Sequence, residues 1–162
     1  MSHNPSTALS TILALSLVVG CATLPDPATL TPEQRQIRIE LSLPPAEAFR
    51  IARVAFVWEA IPLARSDPMG QTITSAPVEL ASFGVIKDVG VLRATIIATD
   101  SGSAVILNGD YTPNIDATWR RAASGVNVDG EQREITSADN TKAAKAGWEK
   151  LGAIAVRLRE NK

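Results

Sequence analysis

Val91-Leu92-Arg93-Ala94-Thr95-Ile96-Ile97-Ala98-Thr99, then Asp100-Ser101-Gly102-Ser103, then Ala104-Val105-Ile106-Leu107-Asn108-Gly109-Asp110-Tyr111, is the stretch that decides the fold. Its first nine residues are rich in β-branched side chains, which suit a pleated, half-buried surface. The next four favour a turn, and the chain then returns as a second apolar run. Two such runs around a short turn predict an antiparallel hairpin.

Nearer the N-terminus, Gln36-Ile37-Arg38-Ile39-Glu40-Leu41-Ser42-Leu43 alternates apolar and polar residues without a break. Side chains on a strand point to opposite faces in turn, so Ile37, Ile39, Leu41 and Leu43 are expected to face a core. Pro44-Pro45 ends that strand and opens a helix, because proline is tolerated in a first helical turn. Phe49, Ala52, Phe56, Val57 and Ala60 then recur at helical spacing as one apolar face, and Pro62 is expected to close the helix. Residues 63–70 read as a loop and Gln71 to Ala76 as a strand. Pro77 to Gly90 stays open between a short helix and an irregular connection. Residues 112–139 are polar, with short strands expected near 126–128 and 132–136.

Ala144, Trp148, Leu151, Ala155 and Leu158 mark a C-terminal helix, with Ser137 or Asp139 as its N-cap. Trp148 and Leu151 are expected on the inner face of the sheet beside Ile96 and Leu107. Trp58 and Trp148 both read as core residues. The order predicts an α+β fold: an antiparallel sheet of about four to five strands, β-α-β-β-β-α, with two helices packed on one face. Residues 34–162 are expected to fold alone as a monomeric domain.

The N-terminus is different. Leu13-Ala14-Leu15-Ser16-Leu17-Val18-Val19-Gly20-Cys21 ends on the only cysteine of the chain. The apolar run from Ala8 to Gly20 is shorter than the roughly 20 residues that span a bilayer, and fits the apolar region of a secretory signal. A small residue and then cysteine after such a run resembles the lipobox of bacterial lipoproteins. Val18 stands where leucine is usual, and residues 1–10 carry no Lys or Arg. The resemblance implies export, cleavage before Cys21 and acylation of Cys21. It divides the chain into a signal peptide (1–20), a Pro/Thr-rich extended tether (21–33) and the domain (34–162).

A buried apolar helix with a core cysteine and a cleaved but unacylated signal are the alternatives; the buried helix is the serious one. Against it stand the terminal position, the absence of an amphipathic period and the prolines that follow at once. Two or more acyl chains hold a protein at a membrane stably. Ala22, rather than Asp, follows Cys21. By resemblance to lipoproteins of Gram-negative bacteria, this favours an anchor in the outer membrane, on the periplasmic side. The element order also resembles the helix-grip topology of small lipid-binding domains and of lipoprotein subunits of outer-membrane assembly machinery.

The chain carries 16 basic and 17 acidic residues, and a net charge of −1 argues against a nucleic-acid partner. The single histidine is His3, inside the segment to be removed. Without it, and with Cys21 acylated, no Ser-His-Asp or Cys-His triad and no His- or Cys-ligated zinc site can form. Asp100, Asp110, Asp116 and Glu79 show no catalytic spacing, and Asn108-Gly109-Asp110 lacks the acidic spacing of a calcium loop. Asn108-Gly109-Asp110 reads instead as a bulge or strand end. No cofactor and no metal are implied, and the chain reads as a non-enzyme.

Trp119-Arg120-Arg121 stands out in a polar region. Trp119 is either a core residue on an unrecognised strand or, with the two arginines, a partner contact, since Trp and Arg are enriched at binding hot spots. The expected role is a non-catalytic accessory subunit that binds an envelope protein. The alternative is a carrier or sensor of a lipid-like ligand held in an apolar cavity.

Overall fold

The two longest strands form the spine of the molecule. The computed structural model describes residues 26–116 and 131–160. After a 3-10 turn (Pro27–Thr29) come α1 (Pro32–Arg35), β1 (Ile37–Leu41), α2 (Pro45–Trp58), β2 (Leu63–Asp67), β3 (Thr72–Ser75) and β4 (Val78–Phe83). They are followed by β5 (Ile86–Thr99), β6 (Gly102–Asp116), β7 (Arg133–Glu134) and α3 (Lys142–Glu160). The fold is α+β. One antiparallel sheet has the order β1-β6-β5-β3-β2, with β4 beside β5 and β7 beside β6.

The hairpin is longer than its sequence signature. β5 and β6 pair from Thr99 and Gly102 at the turn down to Ile86 and Asp116. The turn needs its glycine. Gly102 has φ +148°, and a Cβ there would lie 2.2 Å from the Leu41 carbonyl oxygen. Asn108-Gly109-Asp110 is neither a bulge nor a strand end; it runs in register opposite Val91, Leu92 and Arg93.

The expected four to five strands are seven among the described residues, and the expected two α-helices are three. Each difference has a local cause. Residues 63–67 are β2, not loop: Asp67 Oδ1 accepts from the N–H groups of Met69 and Gly70 (3.1 and 2.9 Å), closing a tight turn into β3. Residues 78–90 are β4 and the start of β5, hidden in the sequence because no polar turn separates them. The expected tether is not extended up to residue 33. Thr31 and Gln34 form a capping box on α1. The Ser137 N–H donates to the Gln34 carbonyl (2.9 Å), and Arg35 pairs with Glu134 (3.1 Å), which ties α1 to β7.

α2 and α3 touch each other and both lie against β5 and β6, so they share one face of the sheet. That face is filled. Ile39, Leu41, Ile73, Leu92, Ala94, Ile96, Val105 and Leu107 meet Ala48, Ala52 and Phe56 from α2 and Leu151, Ile154 and Leu158 from α3. Full burial of one such large side chain stabilises by about 1.5–3 kcal/mol.

α2 ends earlier than Pro62. Ala60 has φ +54°, and the Ile61 N–H donates to the Phe56 carbonyl (3.0 Å), a left-handed cap that stops the helix. Ala60, beyond the helix end, therefore does not join the apolar face; Val57 and Trp58 lie inside α2 but about 80° and 180° around it from buried Phe49, and Trp58 is 57% exposed rather than core. α3 is capped by Thr141, not by Ser137 or Asp139: Thr141 Oγ1 accepts from the Ala144 N–H (3.2 Å).

Candidate interaction surface

The buried polar cluster of the described residues lies where β6 meets the turn into α3. The Tyr111 hydroxyl donates to Asp139 Oδ2 (2.9 Å) and lies 3.1 Å from Thr141 Oγ1. Asp139 Oδ1 accepts from the Thr141 N–H (2.8 Å), and the Asp139 N–H donates to Thr136 Oγ1 (3.2 Å). Burial pushes the Tyr111 hydroxyl above its ordinary pKa; the Asp139 carboxylate adds to this, while Thr141 and Arg133 oppose it. Tyr111 is 2% exposed and Asp139 5%. The cluster is buried, and its hydrogen bonds latch the turn before α3 to the sheet.

Two features face outward. The first is the tip joining β4 to β5. Phe83 and Ile86 pair across the two-residue turn Gly84-Val85. Gly84 has φ +62°, the pattern of a II′ turn with glycine first. Phe83 is 87% exposed, Val85 73% and Ile86 40%. A turn is normally polar, whereas this one displays three large apolar side chains within four residues. The strands behind it are held by the Lys87–Glu79 pair (3.1 Å).

The second is the flank of α3 next to β1. Trp148 packs partly against the core, while Leu151 one turn on is fully buried. Trp148 lines an open groove of about 450 Å³ with Pro32, Glu33, Gln36, Ile37 and Arg38. On its other side a smaller groove of about 130 Å³ reaches Thr136 and Asp139. Trp148 is thus a half-buried wall residue.

Glu79 is paired with Lys87, Asp110 with Arg93, and Asp100 stands exposed in the β5–β6 turn. Glu79 and Asp110 each sit beside a cation, which is the environment of structural carboxylates. Among the described residues, no group of three or more His, Cys, Asp or Glu side chains is placed to hold a metal ion. Among them, too, no helix is long and apolar enough to cross a membrane. Cys21, Trp119, Arg120, Arg121 and the strand expected near 126–128 lie outside the described residues.

The apolar tip escaped the sequence reading. Its one signal was Gly84 between Phe83 and Val85, a turn glycine with apolar neighbours. The chain matches no protein-family model and no curated protein.

Proposed function

We propose that this chain is a membrane-anchored periplasmic lipoprotein whose domain is a non-catalytic partner-binding or structural subunit of the cell envelope. The anchor is Cys21, at the end of the lipobox-like run, and Ala22 after it favours the outer membrane. The observation that carries the binding reading is the apolar β4–β5 tip. Exposed apolar surface gathered at one place marks an interaction site more often than scattered exposed residues do. β6 ends at Asp116 opposite Ile86 of this tip, and the sequence continues from there into Trp119, Arg120 and Arg121, the other proposed partner contacts.

The helix-grip carrier is less well supported. It needs an apolar cavity between sheet and helix, and fully buried Leu92, Leu107, Leu151, Ile154 and Leu158 occupy that interface.

Affinity capture of the full chain from its native envelope, after cross-linking, tests the reading. Phe83→Ser with Val85→Ser leaves the thermal midpoint within a few degrees of wild type, since exposed side chains contribute little to stability. The same pair of changes removes the captured partner. Cys21→Ser releases the chain from the membrane fraction, and the intact mass of the wild-type membrane form shows acylated Cys21 as its first residue. An unchanged partner set in the tip variant, or a mature chain that keeps Met1, overturns the proposal.

A further inference from the structure

The edge of the sheet at β1, unpaired among the described residues, carries a pattern that matches itself. Ile37, Ile39 and Leu41 lie opposite Leu107, Val105 and Ser103 of β6. The Gly109 carbonyl accepts from the Ile135 N–H (2.9 Å), so odd-numbered residues of β6 turn their backbone groups toward the β1–β7 side. Backbone direction alternates along a strand. Ile37, Ile39 and Leu41 therefore use their N–H and C=O groups on β6. Those of Arg38 and Glu40 point away from the sheet, and no described hydrogen bond uses them. This leaves two donors and two acceptors in a row, the chemistry of one more strand.

The side chains say which strand. Arg38 and Glu40 share the outer face, 45% and 56% exposed, and pair with each other (2.6 Å). Charges on an edge strand usually keep other strands off. Here they sit symmetrically about Ile39, with opposite signs. An antiparallel copy of β1 centred on Ile39 sets Arg38 opposite Glu40 of the second copy, and Glu40 opposite its Arg38. Both are pairs whose backbone groups face each other, so four hydrogen bonds close across the seam and no like charges meet. Opposite charges directly across a strand pair are favourable and like charges are not. A foreign strand has no reason to reproduce that spacing.

We propose that β1 pairs with β1 of a second copy about a two-fold axis through Ile39, joining two sheets into one. The Trp148 groove opens beside this seam at Ile37 and Arg38, and gives the second copy partly apolar surface to cover. On α3, at 100° per residue, Gly152 falls on the same flank one turn beyond Trp148. Nothing lies within 4 Å of where its Cβ would be, which leaves that flank open. The monomer expected from the sequence patterns took no account of this edge. The inference stands on β1 alone and does not depend on the tip or on the anchor.

The test is the oligomeric state of the full chain purified in detergent, by sedimentation with the detergent contribution matched out. Wild type is expected to be a dimer. Glu40→Arg places Arg opposite Arg twice, and Arg38→Glu places Glu opposite Glu twice. Each alone is expected to weaken self-association by about tenfold or more. Mixed in equal amounts, the two variants restore complementary pairs and form a heterodimer, read by co-purification of two tags. The double variant Arg38→Glu with Glu40→Arg dimerises like wild type. Both exchanged positions, Arg38 and Glu40, are exposed, and circular dichroism checks that each variant stays folded. A monomeric wild type, single variants that stay dimeric, or a mixture that fails to pair overturns the proposal.

Discussion

At the scale of single residues, Tyr111 shows how the interior limits chemistry. Its hydroxyl is the donor that keeps buried Asp139 satisfied (2.9 Å), and an unsatisfied buried acceptor costs about 1–3 kcal/mol. Tyr111→Phe is expected to lower stability by that amount, measured by urea denaturation at neutral pH. The pH dependence follows from the same environment. Burial first, and the Asp139 carboxylate next, raise the Tyr111 pKa in the folded state. The unfolded chain then loses the phenolic proton at a lower pH than the folded one. The contribution is complete below the ordinary tyrosine range and is lost as pH rises through the folded value. Wild-type stability therefore falls on the alkaline side, and Tyr111→Phe flattens that fall. An identical alkaline slope in both proteins rules out Tyr111 as its source.

At the scale of elements, ends matter more than middles. α2 stops because Ala60 takes a left-handed conformation (φ +54°), which a Cβ disfavours and glycine accepts freely. Ala60→Gly is expected to stabilise the domain by about 0.5–1 kcal/mol, seen as a raised denaturation midpoint. A lowered midpoint would show that the gain in unfolded-chain entropy outweighs the relieved strain. The expected end at Pro62 had a sound basis, since proline cannot continue a helix. The cap acted three residues sooner through backbone bonds that no residue type announces. The tip at Gly84-Val85 is the opposite case. There the turn chemistry was present, but its apolar neighbours concealed two paired strands.

At the scale of the whole molecule, sheet and helices have one core between them. α3 contributes Ala143, Ala144, Gly147, Leu151, Ile154, Ala155 and Leu158 to it. Removing residues 142–162 uncovers the inner faces of β5 and β6, and the remaining chain is expected to lose its cooperative thermal transition. A retained sharp transition would mean that α2 alone covers the sheet. Alternation and helical spacing by themselves determined β1, β3, the β5–β6 hairpin, α2 and α3, because each buries one face and must repeat at the period of its backbone. That the chain holds one histidine, His3, and one cysteine, Cys21, was equally plain, being a matter of composition. That β2 and β4 join the sheet depends on packing, because their backbone bonds need β3 and β5 lying alongside. Packing also decided that Trp58 faces water while Leu151 does not, and that Trp148 walls a groove. All three look alike as apolar residues on a helix, and which flank is covered depends on where the neighbouring elements lie. The charge order of Ile37-Arg38-Ile39-Glu40-Leu41 was visible from the start. That β1 is an edge strand among the described residues, with no described hydrogen bond to the backbone groups of Arg38 and Glu40, follows from strand order, which one strand's residues do not encode.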